Sequence, residues 1–483
     1  MGSGQVTDWQ GKHVTVAGLG VSGVPAAKVL HGLGAKVTVV NDGDDARARE
    51  QAAELEALGV TVRLGDGTAS DSGSAAGLPD GTELIVTAPG WKPDKPLFTA
   101  ADEAGVPVWG DVELAWRLRK PGAAPWLAVT GTNGKTTTVQ MLASILRAAG
   151  LRTAAVGNIG VSLLDVVLGE EEYDVLAVEL SSYQLHWAPS LRAHSAAVLN
   201  LAPDHLDWHG SMEAYAADKG RVYEGNRVAC VYNADATGKP STEDLVREAD
   251  VEEGCRAVGF TLGTPGPSQL GVVEGLLVDR AFVENRQKNA QELAEVSDVR
   301  PPAPHNVANA LAAAALARAY GVPASAVRDG LRAFTPDAHR IAHVADLDGV
   351  AYVDDSKATN THAAQASLAA YESIVWIAGG LAKGATFDEL VAGSAKRLRG
   401  AVLIGRDRAL IREALARHAP EVPVVDLDRT DTGAMLQAVQ EAKRLARPGD
   451  TVLLAPACAS MDMFTNYNKR GDAFAQAVRE LGA

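Results

Sequence analysis

Residues 126–138 read Trp126-Leu-Ala-Val129-Thr130-Gly131-Thr132-Asn133-Gly134-Lys135-Thr136-Thr137-Thr138. An apolar run, two glycines, a lysine and hydroxyls follow one another as in a phosphate-binding loop. The spacing falls short of G-x-x-x-x-G-K-[ST]. Counting back from Gly134, the first glycine should stand at 129, where the chain has Val129; Gly131 comes two residues late. The physical requirements are met all the same. Leu127–Val129 reads as a buried strand, 130–134 as a turn, and Thr136 onward as a helix with apolar positions at helical spacing. Gly131 and Gly134 can turn backbone N–H groups toward phosphate. Lys135 offers a cation to the terminal phosphates, and Thr136 a hydroxyl to Mg²⁺ at the helix N-terminus. The bland alternative is a structural turn. The helix dipole disfavours a cation at an N-terminus, so a lysine here argues for ATP.

Around this stretch, short β-branched runs alternate with Ala/Leu/Glu/Arg segments. The runs include His13–Ala17, Lys36–Val40, Leu84–Ala88, Val175–Val178, Ala196–Leu199, Val350–Val353, Ile374–Ala378, Ala401–Ile404 and Thr451–Ala455. That pattern predicts an α/β fold with parallel sheets and crossover helices. A chain of 483 residues exceeds one core. Breaks at Arg119–Pro125 and Phe334–Arg340 predict three domains, 1–120, 121–336 and 337–483, with hinge motion at both breaks. Residues 234–303, rich in Gly, Pro and acids, predict a small antiparallel insertion. Lys plus Arg number 45 against 60 Asp plus Glu, a net charge of −15, the wrong field for nucleic acid. No apolar window spans a membrane and no leader pattern opens the chain. Three cysteines without CxxC spacing suit a reducing cytoplasm rather than a disulfide or zinc framework.

Three further constellations carry chemistry. Gly18-x-Gly20-x-x-Gly23 follows a strand and opens a helix. It suits a diphosphate, and leaves open an NAD-dependent oxidoreductase, another diphosphate ligand or a packing turn. In the centre, Asn158, Glu179 and His205 follow strands, so their side chains converge on the crevice of the Lys135 loop; Glu179 and His205 are candidate Mg²⁺ contacts. Lys219, among polar helix neighbours, reads as a solvated lysine. Near the C-terminus, Asp355-Ser-Lys357-Ala-Thr359, Gly380-Leu-Ala-Lys383 and Ser460 through Tyr467 each follow a strand. Two lysines and several hydroxyls there suit a carboxylate-bearing substrate.

TGTNGKTTT, GNIG, ELSSYQL, LNLAPDHLD, HNVANALAA, AHR, DDSKATN, GGLAKG and PACASMDMF followed by NKRGDAF stand in the order of the bacterial Mur ligases, which the whole chain resembles. DDSKATN, GDVELAWR and PACAS resemble the D-glutamate-adding branch in particular. The resemblance implies a Rossmann-like N-terminal domain for a UDP-sugar, a P-loop-type central ATPase domain and a C-terminal D-glutamate domain. It implies a monomeric cytoplasmic enzyme that phosphorylates the carboxylate of UDP-N-acetylmuramoyl-L-alanine with ATP. D-glutamate then attacks the acyl phosphate through a tetrahedral intermediate. By the same resemblance Gly131, Thr132, Asn133, Gly134, Lys135, Thr136, Thr137, Asn309, Arg340 and Asp355 hold ATP. Thr136, Glu179, His205 and a carbamylated Lys219 serve two Mg²⁺ ions. Gly20, Val21, Ser22, Asp42, Gly90 and Asn158 hold the UDP-sugar. Thr359, Lys383, Ser460 and Tyr467 surround D-glutamate, and Lys357 orients the carboxylate or intermediate. Lys135, His205, Lys219 and Lys357 are the implied catalytic set. Asn41-Asp42-Gly43 departs from the Asp-Thr-Arg often found in the family, so the residue that takes the place of the usual arginine is left open.

Overall fold

A computed structural model describes residues 8–65, 77–159, 161–336, 339–429, 431 and 433–482. Gly160 of GNIG, and Asp337 and Ala338 at the expected second domain boundary, lie outside the described residues. The fold is α/β, on three mainly parallel sheets.

The first sheet holds β1 (His13–Ala17), β2 (Lys36–Asn41), β3 (Thr61–Leu64), β4 (Leu84–Thr87) and β5 (Val108–Gly110). Their order is β3-β2-β1-β4-β5, all parallel. The chain winds outward from β1 in one direction, then returns to β4 and winds in the other. A crevice opens at such a reversal, outside the carboxyl ends of the strands. The Gly18–Gly23 loop leaves β1 at that point.

The second sheet holds β6 (Trp126–Thr130), β7 (Thr153–Gly157), β8 (Val175–Glu179), β9 (Ser195–Val198), β10 (Ala229–Asn233), β11 (Arg256–Phe260), β12 (Gln269–Val273), β13 (Leu276–Asp279) and β14 (Gln291–Glu295). Their order is β14-β13-β12-β11-β10-β9-β6-β8-β7. β6 lies between β9 and β8 and is buried along its length. The Lys135 loop therefore leaves the sheet between the strands that end in Glu179 and precede His205. The stretch 234–303 is not a separate antiparallel insertion. β11 pairs parallel to β10 and β12 parallel to β11, and only β13 and β14 turn antiparallel. Cys230 on β10 and Cys255, just before β11, bring their sulfurs to 3.9 Å, a proximity that their spacing in sequence hides.

The third sheet holds β15 (Ala342–Leu347), β16 (Val350–Asp354), β17 (Ile374–Gly379), β18 (Leu398–Ile404), β19 (Val424–Asp426) and β20 (Thr451–Leu454), in the order β15-β16-β20-β17-β18-β19. Only β15 runs antiparallel to its neighbour.

The chain divides into two compact units, Met1–Val299 with Val307–Phe334, and Arg300–Asn306 with Thr335–Ala483. The first two sheets share the first unit, so the break at Arg119–Pro125 lies inside it. Gly110 N donates to Trp187 O at 2.8 Å, and buried Glu113 accepts from Ser190 N at 3.0 Å. The rings of Trp116 and Trp126, one on either side of the break, meet at 5.0 Å. One apolar cluster runs through both sheets. Shared core of this kind argues against a hinge at the first break.

Candidate active site

The glycines of the Lys135 loop are there for their backbone. Gly134 has φ +85°, and a Cβ on it would meet Asn309 Oδ1 at 2.4 Å; Gly131 has φ +147° and packs on Leu199. Both conformations are ones that L side chains rarely adopt. The late first glycine thus makes a shorter loop that still turns left-handed at Gly134 and starts the helix Lys135–Ala148. Asn133 N donates to Asn200 Oδ1 at 2.8 Å, and Asn200 Nδ2 returns to Asn133 O at 3.0 Å. The Thr132 hydroxyl lies 3.0 Å from Tyr215 OH. Lys135 Nζ folds over its own loop, donating to Gly131 O at 2.9 Å and Thr132 O at 2.8 Å. Thr136 and Thr137 are buried behind it.

Lys219 overturns the solvated-lysine reading. It is 2% exposed. Its Nζ donates to the same Gly131 O at 2.9 Å and sits 4.6 Å from the centre of the Tyr215 ring. Burial, then the charge of Lys135, holds its ammonium well below the ordinary lysine value. Desolvation of this kind favours the neutral amine.

Glu179 ends β8 fully buried. Its Oε1 accepts from Asn158 Nδ2 at 3.0 Å, while Oε2 is buried with no hydrogen-bond partner. An orphaned carboxylate oxygen is costly unless a cation satisfies it. His205 is held left-handed, φ +55°, at the start of the short helix Leu206–His209, with its ring 4.9 Å from that of Tyr183. Burial lowers its pKa against the opposing pull of Asp204, which keeps the imidazole neutral and able to ligate. No group of three or more His, Cys, Asp and Glu suited to a metal occurs among the described residues. A cation here needs Glu179 and His205 to be joined by a hydroxyl, a modified lysine or the nucleotide itself.

Three residues that the sequence reading missed, His186, His209 and Asp218, hold this wall together. His209 donates to Asp218 Oδ2 at 2.9 Å and accepts from Ser182 Oγ at 3.0 Å, and His186 reaches Asp218 at 2.9 Å. The order Ser182–His209–Asp218 is that of a hydrolytic triad. Ser182 is 2% exposed and no substrate reaches it, so the array is a strut. It ties the helices that carry Gln184, His205 and Lys219.

Beside it lies a cavity of about 520 Å³, lined by Val21, Ser22, Gly90 and Asn158 of the expected UDP-sugar set, with Asp111 and Gln184. Gly20 and Asp42 are not in its wall. Asp42 instead pairs with Lys95 at 2.9 Å, and Asn41 Oδ1 accepts from Leu19 N at 3.1 Å.

In the second unit the three expected loops meet, since they leave neighbouring strands β16, β20 and β17. Leu381 bridges Ala459, and Lys357 Nζ lies 5.0 Å from the centre of the Tyr467 ring. Ser460 is buried, whereas Lys383 is exposed with φ +50°. Arg470, 1% exposed and absent from the sequence reading, locks the loops together. It donates to Ser356 Oγ at 3.0 Å, Ser356 O at 2.8 Å and Cys458 O at 3.0 Å. Burial lowers its pKa to about 10. Asp355 is buried, accepts from Ser367 Oγ and from Ile341 N at 3.4 Å, and has its pKa raised by burial to about 6.

That shift has a stability consequence. The unfolded carboxyl titrates near ~3.9, so each of the roughly two units between them costs ~1.4 kcal/mol once Asp355 ionises in the fold. The cost is absent below pH ~4 and complete above pH ~6. Asp355→Asn is expected to stabilise the second unit by ~3 kcal/mol at pH 8, shrinking toward nothing at pH 4. Urea unfolding at both pH values checks this, and an equal gain at both would refute it.

Comparison with known proteins agrees with this geometry. The Mur ligase middle domain matches residues 129–317, and the Mur ligase glutamate ligase domain matches 339–458. The pyridine nucleotide-disulphide oxidoreductase family matches only 13–84, the N-terminal domain with its glycine loop, and the chain is not an oxidoreductase. The UDP-N-acetylmuramoylalanine–D-glutamate ligase of Streptomyces coelicolor is 88% identical, over 99% of this chain and 100% of its own. The protein of the same name from Thermobifida fusca is 59% identical, over 98% and 99%. Among solved structures, the UDP-N-acetylmuramate–alanine ligase of Thermotoga maritima shares the fold at a TM-score of 0.53 and 18% identity, over 97% and 99%. The chain belongs to the Mur ligase family.

Proposed function

We propose that the chain is an ATP-dependent carbon–nitrogen ligase that joins D-glutamate to UDP-N-acetylmuramoyl-L-alanine in cytoplasmic peptidoglycan precursor synthesis. The observation that carries the reading is full-length identity of 88% and 86% to ligases named for that reaction. The site geometry supplies the chemistry. Lys135 sits where it can leave its loop carbonyls for the terminal phosphates of ATP. The γ-phosphoryl passes to the substrate carboxylate, the amine of D-glutamate attacks the acyl carbon, and phosphate leaves as the tetrahedral intermediate collapses. Charge develops on the transferring phosphoryl group, and fixed cations aimed at it lower the barrier.

Thr136, Glu179, His205 and Lys219 are proposed to hold Mg²⁺, Lys219 as a carbamate. The orphaned Glu179 Oε2 fits such an ion. When bound, it would neutralise phosphoryl charge. Lys357, Thr359, Lys383, Ser460 and Tyr467 are proposed to receive D-glutamate, with Arg340 and Asp355 contributing to nucleotide binding. Lys95, held by Asp42, brings a cation to the strand end that lacks the family's arginine. No described helix is long and apolar enough to cross a membrane, which accords with soluble substrates. The domain limits 1–120, 121–336 and 337–483 and a monomeric state belong to the same proposal.

The test is phosphate release from ATP with UDP-N-acetylmuramoyl-L-alanine, comparing D-glutamate with L-glutamate, L-lysine and meso-diaminopimelate. Turnover with D-glutamate alone is expected. Turnover with another amino acid instead would assign the chain to a sibling ligase.

A further inference from the structure

The cavity beside Asn158 has one charged side chain in its wall, Asp111. Asp111 opens the helix Asp111–Leu118, where a carboxylate is favoured by the helix dipole. A residue present only for that purpose would face water. Asp111 instead lines the cavity, half-buried, and desolvation raises its carboxyl pKa against the hydrogen bonds that favour its ionised form. Its Oδ2 accepts from Ser22 Oγ at 3.1 Å, and its Oδ1 from Val112 N at 3.0 Å. Gln184, in the same wall, favours the ionised form of that carboxylate. The amide oxygen of Gln184 accepts from Ser181 N at 3.0 Å and Ser181 Oγ at 3.2 Å, which fixes this side chain in the wall.

Ser22 comes from the glycine loop of the first sheet, and Gln184 from the helix Ser182–His186 after β8 of the second. Both line the cavity. One carboxylate thus holds the Ser22 hydroxyl in a wall that Gln184 completes from the other sheet. We propose that Asp111 is a positioning residue for the nucleotide-sugar substrate, acting through Ser22. This rests on the reading of the cavity as the nucleotide-sugar site. Groups whose orientation is fixed before binding lose less entropy when the ligand arrives.

The experiment is titration calorimetry of the full chain with UDP-N-acetylmuramoyl-L-alanine, together with the KM of each substrate. Asp111→Ala is expected to raise the Kd and the KM of the nucleotide sugar at least ~10-fold, while the KM values of ATP and D-glutamate stay within ~3-fold. Asp111→Asn, which keeps an oxygen for Ser22, should recover most of the loss. Asp111→Ala combined with Ser22→Ala should be less than additive, because the two act as one unit. Binding by Asp111→Ala within twofold of the parent overturns the proposal. So does a parallel rise in all three KM values with a lowered Tm, which marks a general disturbance. Failure of the parent itself to bind the nucleotide sugar would instead refute the reading of the cavity.

Discussion

Replacing Lys135 by alanine is expected to lower D-glutamate-dependent phosphate release by about two to three orders of magnitude, ~3–4 kcal/mol of transition-state stabilisation. Lys135 follows directly on Gly134, and its ammonium already lies over the loop proposed to receive the phosphates, bonded to two of the loop's own carbonyls. Moving it onto a phosphoryl group requires side-chain rotation, with no change in the backbone. The charge is used most where negative charge is transferred, so the loss belongs mainly in kcat. Lys135→Arg should recover little, since a planar guanidinium does not replace a compact ammonium in a loop this tight. The helix Lys135–Ala148 is anchored by its apolar face, including Met141, Leu142, Ile145 and Leu146, so the fold should survive the change. Near-normal turnover in Lys135→Ala would remove this residue from the reaction.

The same loop shows what a sequence discloses. Strand, glycine turn, lysine and helix are all local, and each has a residue type that only one conformation suits. The strand ends were legible for a related reason: in a parallel sheet, polar residues after an apolar run must emerge at one edge, which placed Glu179 and the three loops of the third sheet. The Gly18–Gly23 loop was ambiguous because any diphosphate needs the same close backbone approach, whatever the chemistry attached to it. The strands β11 and β12 were illegible because short runs between Gly and Pro give no periodicity to read. Burial of isolated polar residues was the deepest gap. Arg470 is surrounded in sequence by Asn468, Lys469 and Asp472, yet two of its three hydrogen bonds go to Ser356, 114 residues earlier. Asp111 and Gln184 are 73 positions apart in sequence and meet only when the two sheets pack. No window of sequence contains those partners.

Lys219 is where that gap matters most, and it yields the second large effect. Its neighbours Asp218 and Gly220 suggest water, but the side chain is enclosed between the Tyr215 ring and Gly131 O. Two ammonium groups on one carbonyl oxygen repel each other, and burial adds to that penalty at Lys219, so its neutral amine is favoured. A neutral amine is the form that adds to carbon dioxide. The nitrogen lone pair forms the N–C bond, one N–H proton passes to solvent, and the product is a carbamate anion. The side chain would then change from neutral to negative within the electrostatic reach of Glu179, whose Oε2 is orphaned. Two anionic groups there are tolerable only with a cation, so carbamate and Mg²⁺ should bind with positive coupling. Lys219→Ala is expected to cost ~100-fold or more in phosphate release, at the upper end of what losing an organising group of a metal site costs. Parent enzyme in carbon-dioxide-free buffer should lose activity and regain it with bicarbonate. With ¹³C-bicarbonate a carbamate resonance should appear, strengthen with Mg²⁺ and be absent from Lys219→Ala. If activity is indifferent to bicarbonate and no resonance forms, Lys219 acts as the amine, and its bond to Gly131 O is then its whole contribution: it braces the loop and ligates nothing.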